Sequence, residues 1–261
     1  MMYPINRSRI EVDITYECDL SCEHCSRSAA MNQAPSSEAM TVAQIDRFIG
    51  ELDAQDAPPK HISLLGGEPT VHPDFETILL RLVEHVMHSP ACSAIDVVTN
   101  GRGRRSRDFL KDYKGHPNVR FHVSPKHGHP KIEYFLPFNH APVDEDGFSA
   151  EVALCGCRYQ VFLGLGLTPF GYYHCPIAGG GIDRVLGLDL GKKNFPTADD
   201  KFESQRKSLC IYCGFLMATK EMVERSFAYC DVATREKPRI SEAWRNAYEK
   251  YRLRAVSLSR Y

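Results

Sequence analysis

The sequence predicts an α/β fold built on a parallel sheet, and three observations carry the prediction. Strand and amphipathic-helix signals alternate through the first half of the chain. Each strand signal ends in residues suited to chemistry rather than in a plain turn. The length, 261 residues, suits one barrel-sized domain or a smaller domain with an appendage. Parallel strands need crossovers long enough to hold a helix, and such sheets place ligands at the C-terminal ends of their strands.

The elements follow in order. RIEVDITY (9–16) alternates apolar and polar residues and reads as a strand. TVAQIDRFIGEL (41–52) reads as a helix with Val42, Ile45, Phe48, Ile49 and Leu52 on one face, opened by a capping box of Thr41 and Gln44. HISLLGG (61–67) is a short strand running into glycines, and DFETILLRLVEHVM (74–87) is an amphipathic helix. AIDVVTNG (94–101) is the third strand, SRDFLKDY (106–113) a short helix and VRFHVSPK (119–126) the fourth strand. The strand ends then carry the cysteine loop, Gly66-Gly67-Glu68-Pro69, Thr99-Asn100-Gly101 and Ser124-Pro125-Lys126-His127. Beyond residue 127 the pattern turns irregular. QVFLGLGLTPFGYYHC (160–175) reads as a hairpin turning near Thr168–Gly171, and SEAWRNAYEKYRLR (241–254) as a helix capped by Ser241, its Trp244, Tyr248 and Tyr251 packing on the domain.

Composition excludes more than it selects. Apolar residues make up 43% and charged residues 25%, an ordinary globular balance, and the net charge is −1. No global pull toward nucleic acid or membrane follows from that charge. Arg102 to Arg107 is a local exception with four arginines, read as a solvated loop unless it borders a site for phosphates. The N-terminal segment has no apolar core of the signal-peptide kind and no apolar run is long enough to span a bilayer, so a cytoplasmic chain is expected. Ten cysteines in a reducing compartment point to metal or redox chemistry rather than to structural disulfides.

Cys18, Cys22 and Cys25 form a C-x3-C-x2-C motif directly after the first strand. Three thiolates leave a structural zinc one ligand short, and His24 is too close to Cys25 for both to aim at one ion. A [4Fe–4S] cluster fits better, because three ligands leave one iron open. This motif, followed by Gly66-Gly67-Glu68-Pro69 after the second strand, resembles the signature of the radical S-adenosylmethionine (SAM) superfamily. His24 stands where an aromatic residue is usual. The resemblance implies an abbreviated β/α barrel, Cys18, Cys22 and Cys25 as cluster ligands, and Gly66, Gly67 and Glu68 (with Pro69) lining the methionine amino group of SAM. It implies reductive cleavage of SAM to a 5'-deoxyadenosyl radical that abstracts hydrogen from a substrate. Asn100 and Ser124 match by position residues that contact SAM, and Lys126, His127 and His129 are candidates for proton transfer or substrate binding.

Four further cysteines, Cys157, Cys175, Cys210 and Cys213, can complete a second set for a [4Fe–4S] cluster or for zinc, with the hairpin bringing the first two together. Cys155 can replace Cys157, Cys230 also competes, and Cys92 reads as a buried small hydrophobe. The arrangement resembles the auxiliary-cluster region called twitch, related to SPASM, and the layout of 2-deoxy-scyllo-inosamine dehydrogenase, a compact enzyme that oxidises a secondary alcohol. The expected division is a partial barrel over 1–150, a twitch-like region over 151–235 and a packing helix over 236–261.

The leading expectation is an oxidoreductase acting on a polar small molecule such as an amino sugar, cyclitol or nucleoside, with the auxiliary cluster taking an electron and flavodoxin or ferredoxin as donor. Modification of a nucleic-acid base or a peptide is the alternative. A third reading is a non-enzymatic zinc or iron–sulfur protein.

Overall fold

A computed structural model describes residues 2–20, 22, 25–29, 36–89, 91–124, 138–216, 240–253 and 257–261. The four predicted strands form, as β1 (Arg9–Thr15), β2 (His61–Gly66), β3 (Ile95–Thr99) and β4 (Val119–Val123), all parallel to their neighbours. The crossovers carry α1 (Val42–Asp53), α2 (Phe75–His88) and α3 (Arg104–Asp112). The helix α1 opens with the predicted capping box, Thr41 and Gln44 satisfying each other's backbone N–H groups. Its Ile45, Phe48 and Leu52 are buried, as are Phe75, Ile78, Leu79, Leu82, Val83 and Val86 of α2. Each such side chain contributes roughly 1.5–3 kcal/mol.

The hairpin forms from β5 (Leu165–Thr168) and β6 (Gly171–Tyr173), which are antiparallel. Two details differ from the expectation. Residues 160–163 belong to a short helix, α5 (Arg158–Leu163), preceded by α4 (Glu151–Cys155). Gly164, at φ +84°, ends α5 as a left-handed glycine, so the same residues that read as a strand start finish a helix instead. The hairpin is also no satellite: β5 pairs in parallel with β1, and the sheet runs β4-β3-β2-β1-β5-β6. The central β1 is therefore flanked by a strand on each edge, and its acidic side chains are buried, with Glu11 9% and Asp13 0% exposed.

After β6 the chain forms a π-helical turn (Ala178–Asp183), the one-turn α6 (Arg184–Leu186) and α7 (Glu203–Leu209), and α8 (Glu242–Arg252) lies near the C-terminus. Trp244, Tyr248 and Tyr251 pack in a second core with Phe138, Tyr173 and Ile177, as expected. Ser241 occupies the N-cap position of α8, but its side chain does not bond the helix; its hydroxyl accepts from the Ala141 N–H at 3.0 Å. No helix among the described residues is long and apolar enough to cross a membrane.

Candidate active site and a second thiol group

At the C-terminal ends of β1, β2 and β3 lies a cavity of about 230 Å³. Cys18, Cys22 and Cys25 line it, together with Gly66, Gly67, Asn100 and Ser124. Gly66 is required by the backbone: it sits at φ +134°, and a Cβ there would meet the Thr15 carbonyl oxygen at 2.0 Å. The chain passes so close because the Gly67 N–H donates to Thr15 O at 2.7 Å and the Glu68 N–H to Glu17 O at 2.9 Å. The strand end and the cysteine loop are thereby stitched together.

Glu68 and Pro69 take a different place from the one the motif implies. Neither lines the cavity. The Glu68 carboxylate is fully buried and accepts from the Thr70 N–H (3.2 Å), the Thr70 hydroxyl (2.7 Å), the Thr99 hydroxyl (2.7 Å) and the Asn100 N–H (2.7 Å). It binds the ends of β2 and β3 into one wall. Asn100 extends that wall to the cysteine loop, its amide donating to Asp19 Oδ1 at 2.7 Å.

Behind the loop lies a buried charge network that the strand reading missed. Arg27 lines the cavity and donates from Nε to Asp13 at 3.1 Å and from Nη2 to Glu11 at 2.6 Å. Burial raises the pKa of both carboxyls, and Arg27 opposes it. Burial alone would lower Arg27, but Asp13 and Glu11 outweigh it and hold the guanidinium charged. Arg184 clamps the same segment from the other side, donating from Nη2 to the carbonyls of Arg27 (2.8 Å) and Ser28 (3.2 Å). A signal was present: two acids at alternating positions of a central parallel strand require partners.

Cys157, Cys175, Cys210 and Cys213 form a second group, remote in sequence from the first. Cys157 is the N-cap of α5, Cys175 follows β6, Cys210 ends α7, and Cys213 closes the turn after it. Burial, then the neighbouring Cys157, pushes the Cys175 thiol up to about 12, and burial and the other three thiols push Cys213 up as well. Cys157 acts on each of the other three. The Cys210 Sγ lies 3.3 Å from Nε2 of His174, whose pKa burial lowers to about 3. Among the described residues no three His, Cys, Asp or Glu side chains converge as around a single ion. Cys92 is buried, as expected. Lys126, His127, His129, Pro125, His24 and Cys230 lie outside the described residues.

The arginine-rich stretch is not a loop throughout: Arg104 onward is α3, with Arg102, Arg104, Arg105 and Arg107 exposed beside Asn100 and Gly101. A larger groove of about 670 Å³ between α1 and α2 shares no residue with either thiol group.

Three GTP 3',8-cyclases illustrate the sequence relatives. That of Bradyrhizobium diazoefficiens is 33% identical over 94 residues, 36% of this chain and 26% of the relative. That of Caulobacter vibrioides is 29% identical over 115 residues, 44% of this chain and 31% of the relative. The probable enzyme of Pyrococcus horikoshii is 31% identical over 94 residues, 36% of this chain and 27% of the relative. The chain thus spans about a quarter to a third of these relatives. Among solved structures, BtrN in complex with AdoMet and 2-DOIA aligns at a TM-score of 0.44 and 15% identity over 81% of this chain and 89% of that one. Streptococcus suis SuiB bound to precursor peptide SuiA aligns at 0.34 and 19% over 45% and 24%. Residues 12–144, just over half of the chain and all of the cavity wall from β1 to β4, match the Radical SAM superfamily, and the chain belongs to it.

Proposed function

We propose that this chain is a radical SAM oxidoreductase in which Cys18, Cys22 and Cys25 hold the [4Fe–4S] cluster and Cys157, Cys175, Cys210 and Cys213 hold an auxiliary one. The observation that carries the first assignment is the single cavity in which the three thiols meet Gly66, Gly67, Asn100 and Ser124. Three soft donors with the fourth side open suit a cluster that must bind a further ligand. When bound, the cluster supplies the electron that cleaves SAM to methionine and a 5'-deoxyadenosyl radical. The protein's own part is to bind and orient. The Gly66-Gly67 turn offers close backbone approach to the methionine end, and Asn100 and Ser124 supply polar contacts at the wall. The C-terminal thiols suit a fully ligated group, being four in number and largely buried. The substrate we assign is a polar small molecule, an amino sugar, cyclitol or nucleoside, with flavodoxin or ferredoxin as electron donor, and with Lys126 and His127 as candidates for proton transfer.

The arginines of α3 and the GTP 3',8-cyclase relatives favour one second reading, a phosphorylated nucleoside as substrate. Basic residues in the first turn of a helix oppose its dipole, which an anionic ligand there would relieve.

Anaerobic reconstitution tests the cofactors: about eight irons per chain are expected for two four-iron clusters. Reductant and SAM should then yield 5'-deoxyadenosine. Incubation with metabolite fractions from deuterium-grown host cells tests the substrate class. Deuterium in 5'-deoxyadenosine from the small-molecule pool supports it, and deuterium only from a nucleic-acid fraction overturns it. A shallow salt dependence of binding separates a single phosphorylated molecule from a polymer, whose many phosphates give a steep one.

A further inference from the structure

Arg206 carries a feature that the preceding reading leaves unused. It lies on α7 one helical turn before Cys210, and residues four apart share a helix face. It is 2% exposed. Its guanidinium is pinned at the far end, Nη1 donating to Leu154 O at 3.2 Å and Nη2 to Tyr3 O at 3.1 Å. Its Nε–H is buried and has no partner among the described residues. Buried donors of this kind are paired in nearly all folded proteins, and one left alone carries a penalty. Burial lowers the Arg206 pKa, and the groups acting against burial are, in order, Cys210, Cys157 and Cys155, ahead of Glu203. A fixed cation and an unused N–H therefore lie on the helix face that leads to Cys210. His174, 2% exposed, adds a ring nitrogen 3.3 Å from the Cys210 sulfur.

Resting on the reading of Cys157, Cys175, Cys210 and Cys213 as iron–sulfur ligands, we infer that Arg206 is a positioning residue that donates its Nε–H to a sulfur of that group and raises its reduction potential. Hydrogen bonds to sulfur and nearby positive charge both favour the reduced, more negative state. The consequence is a matched electron acceptor. A hydroxyl-bearing substrate radical loses one proton and one electron to become a carbonyl compound; the proton goes to solvent or a base, and the electron to the iron–sulfur group held beside Arg206.

The experiment uses the full chain with Cys18, Cys22 and Cys25 changed to alanine and reconstituted anaerobically, so that only the C-terminal group remains. Its potential is read by EPR during dye-mediated reduction, in this parent and with Arg206→Gln or Arg206→Lys added. The expected result is unchanged iron content with a tenfold loss in the one-electron equilibrium for Arg206→Gln, ~59 mV, and a smaller loss for Arg206→Lys, which keeps the charge and lacks the Nε–H. Pulsed EPR on the parent grown with 15N-arginine should show a nitrogen coupling at the reduced group, and this holds even if a variant fails to fold. An unmoved potential at full iron content, or no arginine coupling in the parent, overturns the inference and leaves the ligand reading standing. A parent without any iron–sulfur signal removes the ligand reading and the inference together.

Discussion

The two thiol groups of this chain are built on opposite plans. Cys18, Cys22 and Cys25 come from one eight-residue loop at a strand end, are each partly exposed, and face a cavity. Cys157, Cys175, Cys210 and Cys213 come from three separate places in the second half of the chain, and three of them are buried at 7–9% exposure. The difference fits two tasks. A site that must accept SAM needs an open side and a wall of polar strand ends. A site that only passes an electron gains from enclosure, because burial and neighbouring donors set its potential. Local sequence supplies the first, and tertiary structure assembles the second.

The sharpest way to break this contrast is to remove one plan at a time. Changing Cys18, Cys22 and Cys25 to alanine should abolish formation of 5'-deoxyadenosine and leave about half of the iron, read by product assay and iron analysis. Loss of all iron would mean that the two groups are not independent. Next in size is the charge behind the open loop. Arg27→Ala leaves Asp13 and Glu11 buried without their cation. Breaking such a pair costs about 3–5 kcal/mol, so thermal unfolding should drop well below that of the parent; an unchanged Tm would show that the network does not support the loop. Glu68→Gln replaces one acceptor oxygen with a donor facing donors, most acutely at the Asn100 N–H. A loss of about 1–3 kcal/mol is expected, together with weaker SAM binding by calorimetry as the wall of β2 and β3 loosens. Smallest is Ser28→Ala, which removes a hydroxyl bonded to Gly181 O at 3.1 Å between the two halves. About 1 kcal/mol of stability should go, with iron content unaffected.

Much of the first half was legible because its signals are local. The capping box of Thr41 and Gln44, the apolar stripe of α2 and the C-x3-C-x2-C spacing each sit within one turn, one helix or one loop. Cys157 against Cys155 was not legible, since the two lie two residues apart ahead of the same helix. The role of Glu68 was hidden for a related reason: its partners Thr99 and Asn100 lie on another strand. The burial of Glu11 and Asp13 was not legible, because β5, which makes β1 a central strand, arrives from the second half of the chain. The stretch 160–163 satisfied strand and helix patterns alike, and the left-handed Gly164 decided it.

The glycine run Gly179-Gly180-Gly181 lies within the π-helical turn a few residues after Cys175, and a Cβ on Gly181 would stand 2.0 Å from the carbonyl oxygen of Ser26, the neighbour of Cys25. The segment that follows Cys175 is thus pressed, main chain on main chain, against the segment that follows Cys25. In the proposed electron path this contact limits how near the two segments come, and one added methyl group at Gly181 would force them apart.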